Sequence, residues 1–367
     1  MKINIATSHR FHLHDLAREL TRQGHDVRFY SYVPTKRCVA YGLSRSQCVC
    51  LLPYVAIFFV FQRIFPKATW PVKMRNRVMD YLVGITMRRC DVYIALGTVY
   101  LKSFSMAKRR FGATTILEWG SKHIDDQQRI LRSIGAPIND EYFNVRSRKA
   151  YEIADYIAVA SKHVVRSFVE HGIDESKLLR NPYGVNLQHF YPNNYSNKDF
   201  DVIMVGNWSL QKGCDLIVEA LSGTAYSFLH VGSLAGLEFP HLCNFTHIGH
   251  VDQMELIKYY NQAKVFLLPS RQEGLAMVQA QAIACNLPII GSKDSGAEDL
   301  REMVAHPEYI TVLTDTSPKS ILNAVDQALK QAENLGTMFY AGDIKRNLTW
   351  EAYGKRYSDT LNYRCKI

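Results

Sequence analysis

The chain has 367 residues, 47% hydrophobic and 21% charged, which excludes disordered and fibrous classes and leaves room for two globular domains. Its net charge of +10 is unevenly divided. Residues 1–150 carry 25 Lys and Arg against 10 Asp and Glu, a net of +15, and the remainder carries 19 against 24, a net of −5. A basic first half points to an anionic partner: nucleic acid, acidic lipid headgroups or a pyrophosphate-linked substrate.

Residues 2–7 read as a strand, too short in its apolar part and without the small-residue cleavage site of a signal peptide. A helix is expected over 13–23, ended by Gly24-His25-Asp26, and then a strand over 27–33. His9, His12 and His14 follow the first strand but do not share one helix face, so a metal site built from them is not expected. The apolar run 51–61 contains Pro53 and falls far below the ~20 residues that span a bilayer. Residues 57–77 mix aromatics with Lys and Arg. That mixture suits a core helix followed by a solvated basic face, and it suits equally a membrane–water interface.

Strands are expected at 91–96 and 114–119, with a basic helical stretch between them, and at 156–160, followed by a helix over 162–171. Residues 181–186 are turn-rich, and the polar 191–198 reads as an interdomain linker. A second α/β domain opens at Phe200. It has a strand over 201–205, a loop over 206–213, a helix over 214–221, strands at 227–231 and 245–247, and a helix over 254–263. The eight cysteines are scattered and read as free thiols in a reducing compartment. The expectation is a cytoplasmic, non-spanning protein.

Residues 265–299 carry the most information. An apolar strand ends at Pro269, and 270–274 is a polar turn. A helix is expected over 275–285, with Asn286 as its left-handed cap and Pro288 beyond, and the next strand at 287–291. Glu273 stands at the mouth of that helix, where free N–H groups attract anions. Gln281 is eight residues on. Eight steps of about 100° return to within about 80° of the start, about 12 Å along the axis, so both side chains can face one ligand. Two consecutive strand–helix domains imply two parallel sheets across a cleft, with the ligand at the strand C-terminal ends.

The 273–281 arrangement resembles the E-x7-E segment of the family 4 glycosyltransferases, retaining enzymes of the GT-B fold. Glu273 matches the acid that holds the donor sugar, and Gln281 replaces the acid that holds the ribose. An amide bonds a diol but offers no charge-assisted pair. Val205-Gly-Asn-Trp-Ser-Leu-Gln-Lys-Gly213 resembles the family's Gly-Arg…Lys-Gly segment, in which both cations bind the donor diphosphate. Gly206 and Lys212 match, Asn207 replaces the arginine, and Arg271 or Arg10 is the expected source of a second cation. Gly274 permits close backbone approach, and the N–H groups of Leu275 and Ala276 are expected to meet sugar or phosphate oxygens. His123, at the end of Glu118-Trp-Gly-Ser-Lys-His123, matches a histidine near the reacting sugar; the alternative is a histidine that caps the next helix. His250 and Val251 fall where donor selectivity is set. Glu152-x-x-Ala-Asp155, Asn181-Pro-x-Gly-Val-Asn186 and Trp350-Glu351 extend the resemblance along the chain.

The resemblance implies an α/β protein of two Rossmann-like domains facing a cleft. Residues 1–190 would bind acceptor, 199–345 would bind donor, and 346–367 would form a helix returning to the first domain. It implies transfer from a UDP- or GDP-sugar to a hydroxyl of a glycan or lipid-pyrophosphate-linked glycan, as in bacterial lipopolysaccharide or capsule assembly. Neither a cofactor nor a metal is implied. An anionic membrane surface on the inner face of the plasma membrane is a further expected partner; nucleic acid is not, since no binding motif accompanies the charge. The competing reading is a non-catalytic sugar- or nucleotide-binding partner protein that keeps the fold, suggested by the neutral Asn207 and Gln281. A dehydrogenase would need G-x-G-x-x-G after the first strand, and a P-loop NTPase would need G-x-x-x-x-G-K-[ST]; the chain has neither.

Overall fold

The computed structural model describes residues 1–9, 11–193, 198–333 and 347–365. Seven strands form the first sheet: β1 (Lys2–Ala6), β2 (Asp26–Ser31), β3 (Cys48–Cys50), β4 (Val92–Leu96), β5 (Thr114–Glu118), β6 (Tyr156–Val159) and β7 (Leu178–Arg180). Six form the second: β8 (Phe200–Val205), β9 (Phe228–Val231), β10 (Phe245–Ile248), β11 (Ala263–Leu268), β12 (Ile289–Ser292) and β13 (Ile310–Leu313). The orders are β3-β2-β1-β4-β5-β6-β7 and β10-β9-β8-β11-β12-β13. Every pair in both sheets is parallel. This is the α/β, two-sheet GT-B architecture.

The strands have the composition such sheets demand. A parallel sheet covered by helices on both faces buries alternate side chains on each side, so its strands read as unbroken apolar runs. Val265, Phe266, Leu267 and Leu268 of β11 are fully buried, as are Val202, Ile203 and Met204 of β8. Strand order reverses between β1 and β4 and between β8 and β11. Ligands of open α/β sheets lie outside the strand C-termini at such a switch. In the second domain that places the site between the loops 206–213 and 269–276.

Three strands, β3, β7 and β13, were not anticipated. Two of them are three-residue edge strands, below the length at which a period-2 pattern is visible. The apolar run beginning at 51 became the helix Leu52–Ile64, in which Val55 alone is buried, so it is not a core helix. Residues 194–197 of the expected linker, and the expected boundary at 345/346, lie outside the described residues.

The helix Trp350–Arg364 returns to the first domain. Thr349 caps it by accepting from Ala352 N, and Gly354 sits where a Cβ would overlap that of Glu19 in the helix Leu13–Arg22. Arg356 reaches back to Asn181 Oδ1 at 2.9 Å and to Pro182 O at 2.8 Å. The Tyr357 hydroxyl donates to Glu118 Oε1 at 2.6 Å, and His12 Nε2 meets the other carboxylate oxygen at 2.9 Å. Glu118 is 2% exposed, so each partner matters. Tyr357→Phe is expected to cost about 1.5–3 kcal/mol, the range for a lost bond to a buried charge. The urea midpoint should fall accordingly; an unchanged midpoint would show that Glu118 does not need the phenol.

Candidate active site

The first loop begins at Gly206, whose φ of 135° is open to glycine. Its N–H bonds Val231 O at 3.0 Å, and its carbonyl accepts from His230 Nε2 at 2.8 Å. Gly232 lies so close that a Cβ there would overlap Gly206 O. An imidazole nitrogen facing a carbonyl must donate, so His230 carries its proton on Nε2, and Nδ1 accepts from His247 Nδ1 at 2.9 Å. Burial pushes His230 down to about 4, which keeps its ring neutral near pH 7. The start of the loop is therefore fixed from beneath. Asn207 is exposed, and Trp208 is fully buried.

The same loop ends at Lys212 and Gly213. Gly213 has φ 72°, and a Cβ on it would lie 3.1 Å from the Pro269 carbonyl carbon and closer still to its oxygen. Glycine there lets the 206–213 loop lie against the 269–274 loop. Arg271 fastens the two further. Its backbone N–H bonds Gln211 O at 2.9 Å, and its guanidinium holds both Asp215 oxygens at 2.6 Å each and Leu210 O at 2.7 Å. The expected second cation is thus committed to a bidentate pair within the second domain. Arg10, the other expected source, lies outside the described residues.

Lys212 Nζ and Glu273 Oε1 form an ion pair at the centre of the site. Their side chains are 20% and 14% exposed, enough for a ligand to reach both. Burial pulls the Lys212 ammonium down to about 8. A fixed cation beside an acid, next to two loop glycines, is a surface on which a phosphate and a sugar hydroxyl can sit together.

The Glu273 loop is held from across the cleft. Ser161 Oγ donates to Gly274 O at 2.8 Å, and His163 Nε2 donates to Glu273 O at 3.0 Å. Burial pushes His163 down to about 4, so it is a neutral donor. Gln272 bonds Ser121, and Lys122 Nζ pairs with Asp294 at 2.7 Å. A Cβ on Gly274 would lie 2.7 Å from the Gly120 carbonyl carbon and nearer still to its oxygen. The close approach expected at Gly274 is therefore made to the first domain. His163, Gly120, Lys122 and Asp294 escaped sequence reasoning because their partners are more than 100 positions away. Only the small residues Gly120 and Ser121 at a strand end hinted at a contact.

The helix after this loop runs Met277–Ala284, starting two residues later than expected. Asn286 has φ 64°, the left-handed cap foreseen, with Leu287 N bonded to Ala282 O at 3.1 Å. Leu275 and Ala276 are buried, and the Ala276 N–H is already bonded to Ser295 O at 3.2 Å, so it is not free for a ligand. Gln281 is 6% exposed, and its Oε1 accepts from Tyr260 at 3.0 Å. His250, exposed, and Val251, half-buried, follow β10, the outermost strand of the second sheet.

His123 takes the capping role. Its Nδ1 accepts from Asp125 N at the start of the helix Ile124–Ser133, and its ring stacks on His171 at 4.2 Å and packs against Tyr151 and Phe168. It is 5% exposed, and burial pushes it down to about 4. These contacts all lie within the first domain and match the helix-capping alternative.

Residues 188–342 match the family described as Glycosyl transferases group 1. Over 208 residues the chain is 23% identical to an uncharacterized glycosyltransferase of Methanocaldococcus jannaschii, a match covering 54% of this chain and 56% of that protein. It thus spans about half the length of that curated relative. Sucrose-phosphate synthase from Thermosynechococcus elongatus superposes with a TM-score of 0.66 at 16% identity, covering 99% of this chain and 98% of the other. Anabaena HepE, in complex with UDP and glucose, superposes with a TM-score of 0.70 at 12% identity, covering 99% of each. At such identities these structures speak for the fold, over nearly all of this chain.

Proposed function

We propose that this chain, a family 4/group 1 glycosyltransferase-like protein of GT-B fold, is a retaining, metal-independent glycosyltransferase. It moves a sugar from a nucleoside diphosphate, UDP or GDP, to a hydroxyl of a glycan or lipid-pyrophosphate-linked glycan. The observation that carries this reading is the Lys212–Glu273 pair at the β8/β11 switch, facing the first-domain loop 119–123. The donor diphosphate takes Lys212, and Glu273, released from that cation, accepts from the sugar hydroxyls. Gln281 offers its amide to the ribose. The anomeric C–O bond to the phosphate breaks, and the acceptor oxygen bonds the same face of that carbon. The acceptor proton passes to the leaving phosphate, and Lys212 offsets the charge growing there. A UDP donor is favoured by HepE, whose structure holds UDP and glucose. The +15 first half suits an acceptor carried on a lipid pyrophosphate, as in bacterial lipopolysaccharide or capsule assembly on the cytoplasmic face.

The second reading is a non-catalytic binding partner. It draws on the neutral Asn207 and on Arg271 and Gln281, both already bonded within the second domain. Under it, Lys212→Ala and Glu273→Ala leave function in the host pathway unchanged.

Calorimetry with UDP, GDP, ADP and CMP tests the donor site. One nucleoside diphosphate should bind selectively, and Lys212→Ala should weaken it by about 10- to 100-fold, the worth of one charge-assisted bond. Failure of the folded wild type to bind any of the four would move the choice to the partner reading.

A further inference from the structure

We propose that the helical hairpin formed by Leu52–Ile64 and Trp70–Thr86 docks on the surface of an anionic lipid bilayer. The first helix turns a row of Tyr54, Ile57, Val60 and Ile64 to solvent, 51–63% exposed and spaced by three, three and four. That spacing keeps them on one face. The second helix exposes Trp70, Met74, Tyr81 and Ile85 by 39–52%, spaced by four, seven and four, again one face. The Phe61 and Trp70 rings, 5.2 Å apart, join the two rows at the bend. Single exposed apolar residues are ordinary; two aligned rows that meet form a patch, and patches of this kind mark a binding surface.

Charge selects the occupant. Residues 27–79 contain nine Lys and Arg and no Asp or Glu, and Arg63, Lys67 and Arg77 are exposed among the apolar rows. Beside Tyr81 an open concavity of about 680 Å³ is lined by Lys102 and Arg109, with Lys108 at its wall already paired to Asp155 at 2.6 Å. A second copy of the chain would bring the same cations against this patch. A bilayer of acidic phospholipid offers acyl chains to the apolar rows and phosphates to the cations at their rim. Among the described residues no helix is long and apolar enough to cross a membrane, so the contact is interfacial. The proposal stands apart from the glycosyl-transfer reading, because it uses none of the cleft residues.

Flotation of the full chain with phosphatidylcholine vesicles, with and without phosphatidylglycerol, tests it. Binding should require phosphatidylglycerol and weaken as salt rises. Arg63→Gln with Lys67→Gln should weaken it roughly 25-fold, about fivefold per cation. Ile57→Ser with Ile64→Ser should weaken it by more than about tenfold through lost apolar burial. All four positions are exposed, so the variants should keep the wild-type circular dichroism and melting temperature. No flotation of the wild type, or flotation unchanged in both double variants, overturns the proposal. So does a dimer in sedimentation equilibrium that Ile57→Ser with Ile64→Ser dissolves, since the patch would then belong to a second copy. UDP binding measured on the same variants keeps this outcome separate from that of the donor site.

Discussion

Lys212→Ala is expected to lower kcat by about 10²–10³-fold, the loss seen when one preorganised charge-stabilising group is removed. The cation at this point has little support from its neighbours. Asn207 is neutral, and Arg271 is fixed to Asp215 by two bonds of 2.6 Å. Lys212→Arg should recover part of the rate, since it restores charge with a longer reach. The pH profile adds a signature that a structural lysine would not give. Burial brings the Lys212 ammonium down to about 8, and the protonated form is the one that stabilises a leaving phosphate. The ratio kcat/KM, which reports the free enzyme, should therefore hold below pH 8 and fall as pH rises through that value. In Lys212→Arg the fall should vanish, because a guanidinium stays charged throughout. Initial rates of sugar transfer decide the matter; an alanine variant within tenfold of wild type would remove Lys212 from the mechanism.

Gly274→Ala is the second large effect. The new methyl would lie 2.7 Å from the Gly120 carbonyl carbon, and backbone on both sides leaves no flexible side chain to yield. Either the Glu273 loop shifts or the two domains part. Overpacking of this kind costs about 1–3 kcal/mol of stability. The larger loss is in rate, more than about 100-fold, because displacing a catalytic group by about 1 Å has that consequence. Small-angle scattering should show a more open particle, and UDP binding through Lys212 should survive better than turnover. Wild-type kcat in this variant would mean that the Gly120–Gly274 contact is not part of the working state.

The fold was largely legible because its strands are buried on both faces and so print unbroken apolar runs. The helix Cys214–Leu221 and the left-handed cap at Asn286 appeared at the residues expected. What stayed hidden was pairing across the chain. The sequence places Glu273 at a helix mouth, yet nothing near it announces that Ser161 and His163 hold its loop. Arg271 reads as a spare cation until Asp215, 56 positions earlier, is found against it. His123 has the position of a reacting histidine and the surroundings of a cap, and burial among Tyr151, Phe168 and His171 is a tertiary property. The residues at 57–77 supported two readings because periodicity locates a face without saying what lies against it.

The bonds from Ser161 and His163 to the Gly274 and Glu273 carbonyls bear on how this chain can be recombined. A donor half grafted onto the acceptor half of a distant relative would inherit Lys212 and Glu273 but not the side chains that set the acid in place. Such hybrids would bind nucleotide and turn over poorly. Exchange of specificity between relatives therefore has a natural unit: the second domain carried together with residues 119–123 and 161–163 of the first.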